Sequence, residues 1–178
     1  MGAAIVRKLY VVSCGEQKDP LAEIEPVPAG LVYTGPLHKA LRRAVESVID
    51  EEAGDRLLIL SDHYGLLDLS DPVRGYKGIR FKNKHPRSAT EDHIYTDAVK
   101  KGVDTAAEVI VVASGEYVTR CRQVWPHAAS AMEGVHSPGL MMARAKEMYT
   151  SPGRLAEFLT YAHDHHPGRQ NHTARRDR

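Results

Sequence analysis

The chain is 178 residues long, enough for one domain whose helices cover both faces of a sheet. With 42% hydrophobic and 26% charged residues its composition is ordinary for a globular protein, and a formal charge of +1 excludes the strongly basic surface of a dedicated duplex-DNA binder, so any nucleic-acid contact has to be local. No stretch approaches the roughly 20 apolar residues of a membrane-spanning helix, the opening Met-Gly-Ala-Ala lacks a secretory apolar run, and Cys14 and Cys121 lie far apart; the expectation is a protein of the reducing cytoplasm with no membrane partner.

Lys8 to Ser13, Lys-Leu-Tyr-Val-Val-Ser, is rich in β-branched and aromatic side chains and stops at Cys14-Gly15, which predicts a strand buried on both faces. Asp19 to Gly30, rich in proline and acid, predicts a surface loop over the end of that strand. Pro36 to Ala53 places Leu37, Leu41, Val45 and Val48 or Ile49 on one stripe, predicting an amphipathic helix opened by Pro36 and closed at Gly54. A second apolar run, Arg56 to Ser61, is followed by a long irregular basic excursion, Asp68 to Arg87. Glu91 to Gly102 predicts a helix, Glu108 to Ser114 a third strand, and Gly115 to Val124 a helix capped by Ser114. Two more helices are expected over Gly139 to Tyr149 and Ser151 to His163, the latter capped by Ser151 with Pro152 at its first position. Strands alternating with helices predict one α/β domain over residues 1–164, a three-layer Rossmann-like fold with a mainly parallel sheet flanked by helices, followed by a polar tail at 165–178.

In an open parallel sheet, ligands sit beyond the carboxyl ends of the strands, because backbone amides and helix N-termini point there. Each of the three runs ends in a serine: Ser13, Ser61 and Ser114. At the first end Gly15 permits a tight turn and Lys18 can reach back as a point charge; at the third, Ser114-Gly115 opens a helix whose free amides favour an anion. None of these is a Walker loop or a GxGxxG fingerprint. Their joint occurrence points to an anionic, nucleotide-like ligand, while the plainer role for each serine is to end a strand or cap a helix. Proton transfer falls to His63, because imidazole exchanges protons near neutrality, with Asp62 or Glu16 to orient it or act as a carboxylate base; a surface hydrogen-bond anchor is the plainer alternative. Cys14 becomes a reactive thiolate if Lys18 and backbone donors lower its pKa, and is otherwise a small buried thiol.

Tyr33, Tyr64, Tyr76 and Tyr117 stand beside glycine-containing turns, where each offers a flat face for a base and a hydroxyl for a sugar or phosphate, or simply packs. Arg74, Lys77, Arg80, Lys82, Lys84 and Arg87 follow one another without an intervening acid, interleaved with Tyr76 and Phe81; such a segment can track phosphates, or be a solvated loop balanced by acids elsewhere. His163, His165, His166 and His172 gather near the C-terminus without the i, i+4 pairing of a helical zinc motif, so neither a metal nor a cofactor is expected.

Ser13-Cys14-Gly15, Tyr33-Thr34-Gly35, the segment Ser61-Asp62-His63-Tyr64-Gly65-Leu66-Leu67 and Gly75-Tyr76 together resemble an uncharacterised family of bacterial and phage proteins. More remotely, the Tyr33-Thr34-Gly35 and Ser61-x-x-Tyr64-Gly65-Leu66 pair is similar to the peroxide-stress YaaA family. That resemblance implies an α/β fold with a positively lined cleft and an association with DNA binding and protection from oxidative damage, and it adds Thr34 and Gly65 to the ligand-binding candidates. Asp62-His63 departs from the small residue and lysine common at that place, and no counterpart of the YaaA helix-hairpin-helix element is recognisable. The expectation is a nucleotide or nucleic-acid binding protein, with single-stranded or locally opened DNA the favoured partner, that hydrolyses a base-sugar or phosphate bond. The alternative is a non-enzymatic DNA-binding protein of stress protection or phage-host defence.

Overall fold

The computed structural model describes residues 6–151 and 153–164. In chain order its first elements are β1 (Lys8–Ser13), β2 (Val27–Pro28), α1 (Ala29–Val32), α2 (Pro36–Glu46), β3 (Arg56–Ser61), β4 (Gly65–Leu67) and β5 (Pro72–Val73). They are followed by α3 (Glu91–Lys100), β6 (Glu108–Val112), α4 (Gly115–Val124), β7 (Ala129–Ser130), α5 (Pro138–Thr150) and α6 (Arg154–Asp164). The tail at 165–178 and Pro152 lie outside the described residues.

The main sheet has the order β4-β3-β1-β6-β7, with β3, β1, β6 and β7 parallel to their neighbours and β4 folding back antiparallel onto β3. β1 lies at the centre, Val11 standing opposite Leu58 on one side and Val111 on the other. Continuous apolar runs suit this position because both faces are covered. Tyr10, Val12, Ile59 and Val112 pack with Leu41 and Val45 of α2 and Met141 and Met148 of α5; Leu9, Val11, Leu58 and Val111 pack with Ile94 of α3 and Val118 and Cys121 of α4. The result is three layers, helix on sheet on helix, as the alternating sequence pattern implies.

Trp125 pins the second helical layer: its ring is buried and its indole N–H donates to the Val103 carbonyl at 3.0 Å. Fully burying one large apolar side chain of this kind contributes about 2–3 kcal/mol.

Two segments expected to be loops are more ordered than their composition suggests. The proline-rich stretch contains a 3₁₀ turn over Pro20–Glu23, with the Asp19 carboxylate accepting from the Leu21 amide, and β2 pairs antiparallel with β5 from the basic excursion. Backbone bonds from Gly75 to Ala22 and from Gly30 to Leu69 continue the zip. Each segment thus satisfies the other's peptide groups, and the excursion is held over the end of β1. The helix from Pro36 stops at Glu46 rather than Ala53: the Ser47 hydroxyl bonds back to the Ala44 carbonyl, and the Asp50 carboxylate accepts from the Ala53 amide to make a turn. Such side-chain bonds to nearby backbone compete with helix continuation. The edge strand β7 and the returning β4, two and three residues long, carry too short a pattern to be read from sequence.

The chain leaves β1 through α2 to reach β3 on one side, then crosses through α3 to β6 on the other side of β1. The loops after β1 and β6 therefore diverge, which opens a crevice at the carboxyl ends of the strands.

Candidate active site at the strand ends

A cavity of about 200 Å³ lies in that crevice. Cys14, Gly15, Glu16 and Lys18 reach it from the loop after β1, Asp62 from the turn after β3, Tyr117 from the first turn of α4, and Tyr76, Lys77 and Arg80 from the overlying excursion. None of the three strand-end serines lines it. Ser13 and Ser61 are the last residues of their strands and are buried in the ladder, so the residue following each, Cys14 and Asp62, is the first to reach the opening. Ser114 and the start of α4 border an adjoining chamber instead, and Ser114 makes no side-chain cap. Gly15 has no positive φ; a Cβ there would come within 3.3 Å of the His38 Cβ, so glycine is required for close packing rather than for a left-handed turn. Gly65 does adopt φ +77, and any side chain would collide with the Asp97 carboxylate that receives the Leu66 amide.

Ser61 performs a structural task with chemical consequences. Its Oγ accepts from the amides of His63 at 3.2 Å and Tyr64 at 3.1 Å, which fills its two lone pairs and leaves its O–H to donate to the Tyr76 hydroxyl at 2.9 Å. Tyr76 donates onward to the Cys14 sulfur at 3.6 Å, and Cys14 meets the Tyr117 hydroxyl at 3.4 Å. Tyr117 and Asp62 line the same cavity. A chain of hydroxyls and a thiol thus ends beside a carboxyl group, and bonds in such a chain polarise one another.

Asp62 is 7% exposed, and its Oδ1 has no hydrogen-bond partner among the described residues. Burial pushes its carboxyl above the ordinary aspartate value, against the Tyr117 hydroxyl, the Phe81 amide and the charges of Arg80 and Lys18, all of which pull it down. Leaving such an acceptor unsatisfied costs on the order of 1–3 kcal/mol or more, a cost usually found where a ligand supplies the missing donor. Burial also raises the Cys14 thiol, and the Asp62 charge adds to the effect. Lys18 stands near, but desolvation outweighs it, which favours the reading of Cys14 as a small protonated thiol over that of a thiolate.

Lys18 donates to the carbonyls of Glu16 at 3.2 Å and Gly15 at 3.5 Å, and its ammonium lies 3.9 Å from the centre of the Tyr76 ring. Among the described residues it has no carboxylate within salt-bridge distance, and burial lowers its pKa. The Tyr76 ring is thus covered by Lys18 and flanked by His63 at 5.1 Å and Tyr64 at 5.7 Å between centroids, so it offers no open face to a base. Tyr33 is buried, its hydroxyl 3.4 Å from that of Tyr76, while Thr34 bonds backbone to backbone with Gln17 and borders a separate groove.

His63 does not line the cavity. Its Nδ1 is 2.7 Å from the Arg87 carbonyl, which fixes the ring outside the opening, while the neighbouring Asp62 turns in. The Tyr64 hydroxyl donates to the Arg74 carbonyl, closing the same turn. The basic segment is not one continuous track either: Lys77 pairs with Glu23 at 2.7 Å and Arg80 pairs with Glu16, while Arg74 donates to the Ile24 carbonyl. Lys82, Lys84 and Arg87 are exposed, and Lys84 has the left-handed φ of 48.

Sequence reasoning missed His38. It is 2% exposed, its Nδ1 lies 2.7 Å from the Ser13 carbonyl, and burial holds its pKa below the usual imidazole value, so it is a neutral strut behind the Cys14 loop. Its place on the inner stripe of α2, one residue after Leu37, was the available signal. Among the described residues no group of three or more His, Cys, Asp or Glu side chains could hold a metal; the His163 side chain and His165, His166 and His172 lie outside the description. No described helix is long and apolar enough to cross a membrane.

Comparison with curated proteins and with solved structures gives no match to either. Residues 9–142, which carry β1 through the start of α5 and every residue of the cleft, match DUF6884, a family of unknown function, and the chain belongs to that family.

Proposed function

We propose that this protein binds a nucleotide, free or at the end of a single strand, in the strand-end cleft and hydrolyses its base-sugar bond. The observation that carries the reading is the buried Oδ1 of Asp62, without a hydrogen-bond partner among the described residues, on a side chain that lines a small polar cavity in which Lys18 is the cation without a carboxylate partner. An anionic group fits Lys18; a hydroxyl or N–H of the same ligand fits Asp62.

Asp62, rather than His63, is the group placed to move a proton. In its protonated form, which burial favours by raising the pKa, the Asp62 carboxyl donates to the departing base nitrogen as the C1′–N bond breaks and that nitrogen takes the bonding pair. Water forms the new C1′–O bond, and its released proton returns to the Asp62 carboxylate, which restores the acid. The Ser61–Tyr76–Cys14–Tyr117 chain orders the polar side chains around Asp62, and burial keeps Cys14 neutral. The motif resemblance to the YaaA family supports a ligand of nucleic-acid chemistry. A non-enzymatic DNA-binding role finds less support, because two of the six cations proposed to track phosphates are neutralised by Glu16 and Glu23.

The test is a thermal-shift panel of nucleoside monophosphates, nucleosides, ribose 5-phosphate and short oligonucleotides, with release of free base followed in parallel. Nucleotides should stabilise the wild type, and Lys18→Met should weaken their binding by about 10- to 100-fold, the loss of one charge-assisted hydrogen bond. An unchanged melting temperature across the panel rejects the reading.

A further inference from the structure

The cleft does not end at the 200 Å³ cavity. Asp62, Arg80 and Tyr117 also line a second chamber of about 300 Å³, walled on its far side by Leu37 of α2, Phe81, and Pro138 and Met141 of α5. The three shared residues set the two spaces side by side with Asp62 between them. We propose that the sugar-phosphate of the ligand occupies the polar arm beside Lys18 and that the base enters the apolar chamber, which places the bond between them beside Asp62. This assignment rests on the nucleotide reading above and gives it an orientation.

Size is the first argument. Small-molecule sites begin at about 300 Å³, so the polar arm alone is too small for a whole nucleotide, and the ligand has to extend past Asp62. Chemistry decides the direction. In the polar arm the Tyr76 ring is already covered by the Lys18 ammonium at 3.9 Å, so a base finds no free aromatic face there, whereas an anion finds an uncompensated cation. In the other chamber Leu37, Phe81, Pro138 and Met141 supply a larger apolar wall than the polar arm has, beside the polar Lys82, Ser114, Glu116 and His136, and Glu116, in the first turn of α4, opposes the attraction that a helix N-terminus would otherwise exert on phosphate. Glu116 is instead an acceptor for the N–H groups of a base. The expectation that Tyr64 and Tyr76 hold the base is thereby replaced: Leu37, Pro138 and Met141 are the apolar surfaces that receive it, since the Phe81 ring is itself covered by Arg120 and the Tyr117 edge.

The test uses two obstructing substitutions on different walls, Leu37→Trp on a half-buried helix position and Ser114→Tyr at a site whose hydroxyl makes no cap. Each should lower affinity for a nucleoside 5′-monophosphate by about tenfold or more while ribose 5-phosphate binds as to wild type, since only the seat of the base is filled. A correctly folded variant that keeps full nucleotide affinity, or loses both ligands by the same factor, overturns the assignment. Wild-type protein supplies a further arm: free adenine or guanine and ribose 5-phosphate should bind together, and mutual exclusion overturns the assignment. If wild type binds neither nucleotide nor ribose 5-phosphate, the nucleotide reading itself fails, a result distinct from one in which both bind but the chamber walls make no difference.

Discussion

A buried aspartate stands just beyond each end of strand β3, and the two have opposite surroundings. Asp55, preceding Arg56, is 3% exposed and fully satisfied: one oxygen receives the Arg7 guanidinium at 2.9 Å and the other the Asp50 amide at 3.1 Å. Asp62, following Ser61, is 7% exposed, lines a cavity and has one oxygen without a hydrogen-bond partner among the described residues. The same side chain flanking the same strand is therefore a fastener at one end and a reagent at the other. Burial alone does not mark a functional carboxylate; burial without a partner, beside space for a ligand, does.

The largest effect that can break this contrast is on turnover. Asp62→Asn should slow base release by about 100- to 10,000-fold, the usual worth of a positioned acid, while the protein stays folded. Activity close to wild type in that variant ends the proposed role. Next comes Asp55→Ala, which strands the Asp50 amide and removes the Arg7 pair; it should lower unfolding stability by about 2 kcal/mol in denaturant titration, with turnover per folded molecule unchanged. A loss of chemistry at Asp55 with intact stability would erase the distinction between the two ends.

Smaller, and diagnostic in sign, is the dependence on pH. The Asp62 carboxyl is raised by burial, so in the window between the ordinary aspartate value of about 4 and its folded value the native protein holds a proton that the unfolded chain has released. Its contribution to stability is present at low pH and is lost as pH rises through the folded value. Wild type minus Asp62→Asn should isolate this slope in denaturation curves, and a difference that grows more favourable with rising pH contradicts it. The smallest effect separates the cleft from the basic segment. Lys84→Gln with Arg87→Gln should leave nucleotide binding and its salt dependence unchanged; a salt slope flattened by about one for each cation removed would favour the DNA-binding alternative.

Much of the fold was legible. β1, β3 and β6 announce themselves as apolar β-branched runs, and the amphipathic stripe of α2 is visible up to Val45, because burial on both faces leaves a dense local signal. The β2–β5 pair is not visible, since its stability comes from two loops satisfying each other's peptides across the chain. The site divides in the same way. That chemistry gathers where the strands end follows from topology, and Cys14, Lys18, Asp62, Tyr76 and Tyr117 were within reach. Which of two adjacent turn residues points inward was not: His63 is captured by the Arg87 carbonyl and Asp62 is left facing the cavity, a choice made by a residue 24 positions further along the chain. The pairing of Lys77 with Glu23 and of Arg80 with Glu16 is likewise tertiary, and it dissolves what reads along the chain as one basic track.

The most direct measurement is the carbon-13 NMR titration of the Asp62 side-chain carboxyl, assigned by its absence in Asp62→Asn, with and without a nucleoside monophosphate. The free protein should show this carboxyl titrating above the ordinary aspartate range, with its midpoint and chemical shift displaced when the nucleotide binds. A midpoint in the ordinary range, or one that bound nucleotide leaves untouched, contradicts a bare carboxyl waiting for a ligand.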